Sequence, residues 1–483
     1  MLRFASIGHV LGHFLLFLAA ALTAPILYGL LTSSGPLAPL LISLFICALA
    51  GGLLTFLLPR PTRELRQREA LLLVAAIWAS LPVFGGLPFY LSPEFPSFAD
   101  AFFEASSGFS ASGATVLSDI EGLGKPVLLW RCLTHWFGGM GIILLGVAVL
   151  PLLAQGGASL YGAEFSGATA EKLKPRITET ALALWKVYLG LSLGSYITLR
   201  WAGMGNFDAL CHTFSVMGTG GFSTRNTSVA SFQNPAVEYA IIAFMFLGGI
   251  SMIQHYRFWL ELQFPAVLKD IQLRAYVSML LVAGAVAAVS LRFHGGYAWE
   301  PALRAGFFQV TSIMTTSGLV TDDFELWHPV GQMLLLGLMF VGGCTGSTSG
   351  GLKVARLLLL AKLADREFKR MVERHGVFAI RLGSHVIPES TVQRSLNLVY
   401  IALGVILSAA LLLASMGVDV LTSLTAAIAA VFNIGPAFGR VGPFDNYGWL
   451  PAGAKWVLSF CMIAGRLEFY SALVLVTPWF WRR

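Results

Sequence analysis

Residues Asp100 to Gly113 read DAFFEASSGFSASG, a largely apolar stretch that ends at a glycine. It is too short to cross a bilayer, which takes about 20 residues in helical form. It is also too apolar to lie in water as an ordinary loop. Stretches of this length are typical of segments that enter a membrane and turn back on the same side. We therefore predict a short pore helix here, followed by a turn that ends at Gly113.

Three further stretches of this kind follow along the chain. They read DALCHTFSVMGTGG from Asp208 to Gly221, LRAGFFQVTSIMTTSG from Leu303 to Gly318, and LTSLTAAIAAVFNIG from Leu421 to Gly435. Their terminal glycines are 108, 97 and 117 residues apart, and alignment on the first two glycines places Asp100 on Asp208. Regular recurrence of this kind predicts structural repeats. Each of four repeats would hold a span, a pore helix, a glycine-ended turn and a second span.

The second spans carry a recurring pair of small residues. Gly138-Gly139, Gly248-Gly249, Gly342-Gly343 and Ala464-Gly465 begin 25, 27, 24 and 29 residues after their turn glycines. Small residues let membrane helices pack closely. Their recurrence at one offset favours four second spans that face a common centre.

The composition is that of an integral membrane protein. Of 483 residues, 56% are hydrophobic and 12% charged, and the mean hydropathy is +0.74. Soluble domains are about 25% charged, so a soluble enzyme and a disordered protein are excluded, and a nucleic-acid partner is not expected. The five cysteines are scattered and give no case for a disulfide framework or a zinc site. Ten segments can span: 5–31, 37–58, 69–91, 126–153, 179–201, 236–262, 274–292, 330–363, 395–415 and 453–480.

The basic residues predict the orientation. Of the 32 lysines and arginines, 22 fall at both termini and after even-numbered spans, and 8 fall on the other side. Lysine and arginine mark the cytoplasmic side, so both termini are expected there. The charged connector 364–394 lies on that side, and it is either a plain solvated link or a docking surface for a cytoplasmic partner.

Four turns around one centre would suit a monovalent cation. Non-helical backbone at membrane depth must be packed in protein or line water, and its carbonyl oxygens can replace the hydration shell of an ion. The negative C-terminal ends of the pore helices also favour a cation, and glycine permits the close approach and positive φ that each turn needs. The fourth turn differs in residue type, so the four are not equivalent in sequence. The predicted ion-binding residues are Ser110, Ala111, Ser112, Gly113, Gly218, Thr219, Gly220, Gly221, Thr315, Thr316, Ser317, Gly318, Phe432, Asn433, Ile434 and Gly435.

The eighth span contains GGCTGSTSGG at residues 342–351, a composition that does not sustain a helix. A phosphate-binding loop is excluded because Leu352 separates Gly351 from Lys353. A serine-hydrolase elbow is excluded because Thr348 stands at the serine position. A passive kink remains the plain alternative to a moving element.

Arg466 lies deep in the last span, where an isolated charge costs roughly 2.5–3.5 kcal/mol. It should therefore face water, pair with Glu468 or bind the carbonyls of the glycine-rich loop.

These motifs together resemble the Trk/Ktr/HKT superfamily, and within it the TrkH-type bacterial potassium uptake subunits. The resemblance implies an all-α polytopic membrane protein with four pseudo-symmetric M1–pore helix–M2 repeats around one pore, plus two extra N-terminal transmembrane helices. The four turn glycines would form a potassium-selective filter, because a glycine at all four positions accompanies potassium selectivity in the family. The predicted units are 1–60, 61–155, 156–264, 265–364 and 365–483, of which the first holds the extra helices.

The resemblance also implies a gate and partners. An intramembrane loop under the filter would block the pore, and Arg466 would repel potassium or hold the loop shut. The gate residues are Gly342, Gly343, Thr345, Gly346, Ser347, Thr348, Ser349, Gly350, Gly351 and Arg466. A homodimer in the bacterial inner membrane and a ring of TrkA-type nucleotide-binding subunits are implied, while this chain shows no nucleotide site of its own.

Two other functions stay open on the sequence. A symporter driven by protons or sodium would need an intramembrane relay, for which Glu468 is the main deep candidate. A membrane-embedded prenyl transferase would need an acidic pair, and Asp322-Asp323 is predicted on the wrong side for that role.

Overall fold

The computed structural model describes residues 2–60, 65–148, 177–374, 376–383 and 385–482. It confirms the predicted fold class, since nearly all regular structure is helical. The α-helices are α1 Phe4–Thr32, α2 Ala38–Leu57, α3 Gln67–Gly85, α4 Leu87–Tyr90, α5 Phe98–Ser110, α6 Lys125–Ala148, α7 Ile177–Trp201, α8 Asn206–Gly218, α9 Pro235–Gly248, α10 Met252–Trp259, α11 Phe264–Leu268, α12 Ile271–His294, α13 Trp299–Met314, α14 Pro329–Leu338, α15 Val354–Val372, α16 Glu389–Ser415, α17 Val420–Phe432, α18 Ala452–Arg466, α19 Tyr470–Leu473 and α20 Pro478–Trp481. Short 3-10 turns cover Ser228–Phe232, Phe324–Leu326 and Val474–Val476, and a two-stranded hairpin pairs β1 Arg381–Leu382 with β2 His385–Val386.

Long apolar helical segments occur at six of the ten predicted spans, and the third of them is interrupted only at Gly86. Six helical segments in the described part of the chain are long and apolar enough to cross a bilayer. They are Phe4–Thr32, Ala38–Leu57, Arg68–Tyr90, Thr180–Trp201, Ile271–His294 and Glu389–Ser415. The other four predicted spans are the second spans of the repeats. The first of these, α6, reaches Ala148, and the end of the predicted segment 126–153 lies outside the described residues.

The sixth predicted span, 236–262, is present as two helices with a sharp bend between them, which the sequence did not predict. The chain bends by 101° between α9 and α10. The physical reason lies in the glycine-rich loop, whose backbone takes hydrogen bonds that a continuous helix would use. Cys344 N–H donates to Gly249 O over 2.8 Å, and Met252 N–H donates to Gly346 O over 3.0 Å.

The tenth span, predicted over 453–480, also ends early. Helix α18 stops at Arg466, and Glu468 and Phe469 both adopt left-handed backbone conformations. The Glu468 carboxylate accepts a hydrogen bond from Arg356 Nη2 over 2.8 Å, which ties this break to α15. The interruption predicted in the eighth span is present, between α14 and α15.

The interior divides along the chain. One apolar cluster joins α1–α3 to α5 and α6, a second surrounds α7–α9, and a third joins α12–α14 to α16–α18. The N-terminal pair α1 and α2 packs closely where Gly12 faces Gly51, since a Cβ at either would meet the other's carbonyl oxygen within 3 Å. A small fourth cluster, including Leu359 and Ile380, packs the hairpin onto α15.

Candidate functional site

Four short helices end in the same way, although their sequences differ. They are α5, α8, α13 and α17, and each ends close before its turn glycine. In every turn the residue two before the glycine is left-handed, with φ of 55° at Ala111, 52° at Thr219, 57° at Thr316 and 56° at Asn433. The residue before the glycine donates its N–H to the carbonyl five residues back, over 2.8 to 2.9 Å, in all four turns. The fourth turn therefore matches the others in backbone, and its difference in residue type does not extend to its conformation.

The four turn glycines close a ring. Their φ angles are 87° at Gly113, 87° at Gly221, 65° at Gly318 and 95° at Gly435, a region that side-chain-bearing residues rarely occupy. A Cβ on Gly113 would overlap Gly220 O, one on Gly221 would lie 2.6 Å from Ser317 O, one on Gly318 would overlap Ile434 O, and one on Gly435 would lie 2.5 Å from Ser112 O. Each glycine thus abuts the next repeat in the order one, two, three, four, one.

The ring brings together all sixteen residues that the sequence selected. All of them except Gly113 and Gly221 are buried, and Asn433 is fixed by a 3.1 Å hydrogen bond from Nδ2 to Met462 O. In the third turn, Thr315 Oγ1 and Ser317 Oγ lie 2.9 Å apart. These two hydroxyl groups therefore brace the third turn, and the backbone carbonyls are the oxygens that the turn glycine of a neighbouring repeat abuts.

The small-residue pairs pack directly onto the ends of the four short helices. A Cβ on Gly138 would overlap Phe109 O, one on Gly139 would meet Gly218, and one on Gly465 would overlap Val431 O. The pair in the third repeat departs from this pattern because Gly342 and Gly343 already belong to the non-helical loop. The second spans of three repeats therefore pack against the ring at their glycines. In the third repeat the glycine-rich loop makes this contact instead.

The glycine-rich loop lies against the ring. Gly350 N–H donates to Thr316 Oγ1 over 2.7 Å, and a Cβ on Gly350 would overlap Phe432 O. Thr348 Oγ1 donates to Gly248 O over 3.2 Å. The loop from one repeat therefore contacts the turns of the third and fourth repeats and the second span of the second.

Arg466 binds one carbonyl of the loop and one carbonyl of α6, and it does not bind Glu468. Its Nη1 donates to Thr348 O over 2.8 Å, and its Nη2 donates to Gly138 O over 3.1 Å. Its Nε is buried and finds no hydrogen-bond partner among the described residues. A buried donor without a partner costs free energy, so the loop is held by a contact that is incompletely satisfied.

Residues 38–481 match the family model of TrkH, described as a cation transport protein. The chain belongs to the TrkH family. The Trk system potassium uptake protein TrkH of Salmonella typhimurium is 36% identical over 485 residues, covering all of both chains. The protein of the same name from Halomonas elongata is 37% identical over 480 residues, with 98% of each chain covered. The crystal structure of the potassium transporter TrkH from Vibrio parahaemolyticus superposes with a TM-score of 0.91 at 34% identity, covering both chains completely.

Membership in the TrkH family makes this chain a transport protein and not an enzyme. The acidic pair considered for an enzyme has a structural use. Asp322 accepts hydrogen bonds from Tyr297 Oη and Trp327 Nε1, and Asp323 caps a 3-10 turn by accepting from Glu325 N–H. Burial and the bond to Asp322 raise the pKa of Tyr297 to about 12.

Lys353 is a candidate that the sequence did not reveal. It is one of the 22 basic residues predicted on the cytoplasmic side, whereas it lies buried directly after the loop with a left-handed backbone, φ 66°. Its Nζ donates to Ser349 O over 2.6 Å and to Ser347 O over 3.4 Å. Two basic side chains, Lys353 and Arg466, therefore bind carbonyls of the glycine-rich loop.

Two further basic residues were assigned to the outer side and are also buried. Lys455 Nζ lies 2.5 Å from Asp100 Oδ1, so α18 is paired with α5. Arg131 Nε lies 2.6 Å from Glu104 Oε1, so α6 is paired with α5 of the same repeat. The signal was available, because Arg131 falls inside the predicted span 126–153 and ionisable residues inside spans are rarely without a role.

Proposed function

We propose that this protein takes up potassium ions through a pore lined by the four glycine-ended turns. The observation that carries the proposal is the closed ring of turn glycines, each abutting a carbonyl of the next repeat. Carbonyl oxygens held in rings are the ligands that replace the hydration shell of potassium in selective pores. The names of the relatives, which are potassium uptake proteins, support the same ion.

The proposed ligand is potassium, held at the residues of the four turns. The chain is reconstituted in liposomes, and uptake of potassium, rubidium and sodium is measured under equal gradients. Potassium and rubidium are expected to enter faster than sodium. Equal uptake of all three would contradict the selective ring, and no uptake above empty liposomes would contradict the pore.

The glycine-rich loop is the proposed gate. It contacts the turns of the third and fourth repeats and the second span of the second, and the basic side chains of Lys353 and Arg466 bind its carbonyls. A cation leaving the ring would meet this loop and its charges, so conduction requires the loop to move. The left-handed conformations of Gly342 and Gly351, at φ 81° and 75°, allow the two ends of the loop to meet closely.

A channel-like route is favoured over a proton relay. Glu468, the deep acid considered for proton coupling, is paired with Arg356 over 2.8 Å. A guanidinium that binds a carboxylate stabilises its charged form, so such a carboxylate is a poor shuttle for protons. Flux that follows the potassium gradient alone, unchanged by an imposed proton or sodium gradient, is the expected result.

The partners and location follow the family. We infer a homodimer in the bacterial inner membrane, with both termini in the cytoplasm and a TrkA-type nucleotide-binding ring on that side. Exposed apolar side chains at the end of α15 support a protein contact there: Phe368, Met371 and Val372 are 68%, 77% and 85% exposed. Native mass spectrometry of the detergent-solubilised chain tests the dimer, and flux with and without added regulatory ring and nucleotide tests the ring.

A further inference from the structure

A fully buried ion pair of the first repeat lies beside the ring, where the first repeat meets the second. Arg131 Nε and Glu104 Oε1 are 2.6 Å apart, and their side chains are 1% and 0% exposed. Glu104 belongs to α5 and Arg131 to α6, so the pair joins a pore helix to the second span of its own repeat.

The same pair reaches the segments that follow two turn glycines. Arg131 Nη1 donates to Ser223 O over 2.9 Å, two residues after Gly221. Glu104 accepts from Thr115 Oγ1 over 2.9 Å and from Val116 N–H over 2.9 Å, just after Gly113. One pair of charges therefore ties together the backbone on both sides of the Gly113–Gly220 contact.

Phe222, the residue directly after Gly221, is held between two side chains of α6. The Arg131 guanidinium carbon lies 3.5 Å from the centre of its ring, and the His135 imidazole stacks on it at 3.9 Å. Phe222 N–H donates to His135 Nε2 over 3.1 Å. Because Nε2 must accept, the ring proton sits on Nδ1 and is donated to Gly108 O over 2.8 Å.

No other repeat has an acid and a base at the two equivalent positions. Nine residues before the four turn glycines stand Glu104, His212, Gln309 and Ala426. Seven residues before the small-residue pairs stand Arg131, Ile241, Leu335 and Val457. His212 and Gln309 also reach the segment after their own glycine, through neutral hydrogen bonds to Ser223 Oγ and Asp322 O.

The stability of the fold does not explain why a buried ion pair stands at this position. Burying two charges costs desolvation that their attraction often fails to offset, and apolar replacements are frequently as stable. What the pair does provide is fixed geometry, because its partners are backbone groups on two neighbouring repeats. Selectivity depends on how the carbonyls of the ring are held, and this pair fixes one of the four seams in that ring.

We propose that Glu104 and Arg131, acting through Phe222, are positioning residues that set the discrimination between potassium and sodium at the seam of the first two repeats. The inference rests on the proposed function. Loosening this seam lets the carbonyls of Gly220 and its neighbours move, so that the ring adapts to a smaller cation. The loss is expected in selectivity and not in the total capacity for flux.

The test uses the full chain in liposomes, with initial potassium and sodium uptake measured separately. Glu104→Gln combined with Arg131→Met removes both charges, so that no lone buried charge remains. Phe222→Leu removes the stacked ring without changing charge. The matched control is Glu238→Gln combined with Arg304→Met, an ion pair at 2.7 Å between α9 and α13 with no contact to the turn segments in the described contacts.

The brace variants are expected to lower the potassium-to-sodium uptake ratio by roughly tenfold, which corresponds to about 1.4 kcal/mol. The control pair should keep the wild-type ratio. Arg131→Lys retains the charge but not the planar stacking or the second bond, and it should give an intermediate ratio.

Unchanged ratios in the double variant and in Phe222→Leu would overturn the inference, as would lower thermal stability with no change in ratio. If the double variant does not reach the membrane, Phe222→Leu decides the question alone. Wild-type protein that takes up sodium as fast as potassium would instead overturn the proposed function.

Discussion

The ring of turn glycines and the glycine-rich loop beside it are made of the same residue type but are organised differently. The ring is contributed equally by four repeats, with matched φ angles and matched contacts. The loop comes from the third repeat alone, and each of its contacts is different in kind. An arrangement repeated four times suits coordination of one central ion. A single insertion can move without a matching movement in the other three repeats, which suits regulation.

The largest effect is expected when the ring itself is altered. In Gly113→Ser the new Cβ would overlap Gly220 O, and the serine would have to adopt a φ of 87°. The ring must therefore open at this contact. We expect a fall of roughly tenfold or more in the potassium-to-sodium uptake ratio. Gly404→Ser is the control, since no atom lies within 4 Å of the Cβ it would carry. Unchanged selectivity would contradict the assignment of the ring.

Shortening the loop should change flux and leave selectivity intact. Deletion of residues 346–349 removes the contacts of Thr348 and Ser349 with the second repeat, Arg466 and Lys353. We expect potassium flux to rise about tenfold, measured in liposomes without a regulatory partner. Thr345→Ala is the control because it keeps the loop length. A normally inserted but silent deletion variant would count against the gate.

A smaller effect should follow from removing one charge. Arg466→Gln keeps a donor near Thr348 O but removes the positive charge from the path of the ion. Potassium flux should rise by about threefold, less than on loop deletion because Lys353 still binds the loop. Arg370→Gln, at an exposed pair worth little, is the control. Loss of flux would show that Arg466 is structural only.

The smallest effect is expected at Asn433. A left-handed residue other than glycine costs about 1–2 kcal/mol, and asparagine tolerates it better than most. Asn433→Gly should therefore keep the uptake ratio within about twofold of wild type. Asn433→Val should lower both the ratio and the unfolding temperature. A strong defect in Asn433→Gly would mean that the Nδ2 bond to Met462 O matters more than the backbone.

The sequence predicted the repeated parts well because repetition is visible in a single chain. Four glycine-ended stretches at similar spacing led to the four short helices and their turns. The sequence could not show that the sixth span breaks, because the cause is a contact between Gly249 O and Cys344 N–H, about a hundred residues apart.

The sequence pattern also could not show the contacts that buried basic residues make. Lys353 follows the loop directly and reads as an ordinary basic residue at a cytoplasmic junction. Only the folded chain shows that its ammonium group turns back to Ser349 O. The choice left open for Arg466 needed the same information, since Glu468 is two residues away but points to Arg356.

The closure of the ring also bears on how the protein is made. The last contact joins Gly435 to Ser112 O, across 323 residues of chain. Contacts so distant in sequence form late and slowly, and the fourth repeat is the last to leave the ribosome. A nascent chain with three repeats in the bilayer therefore has an open seam and no complete ion site.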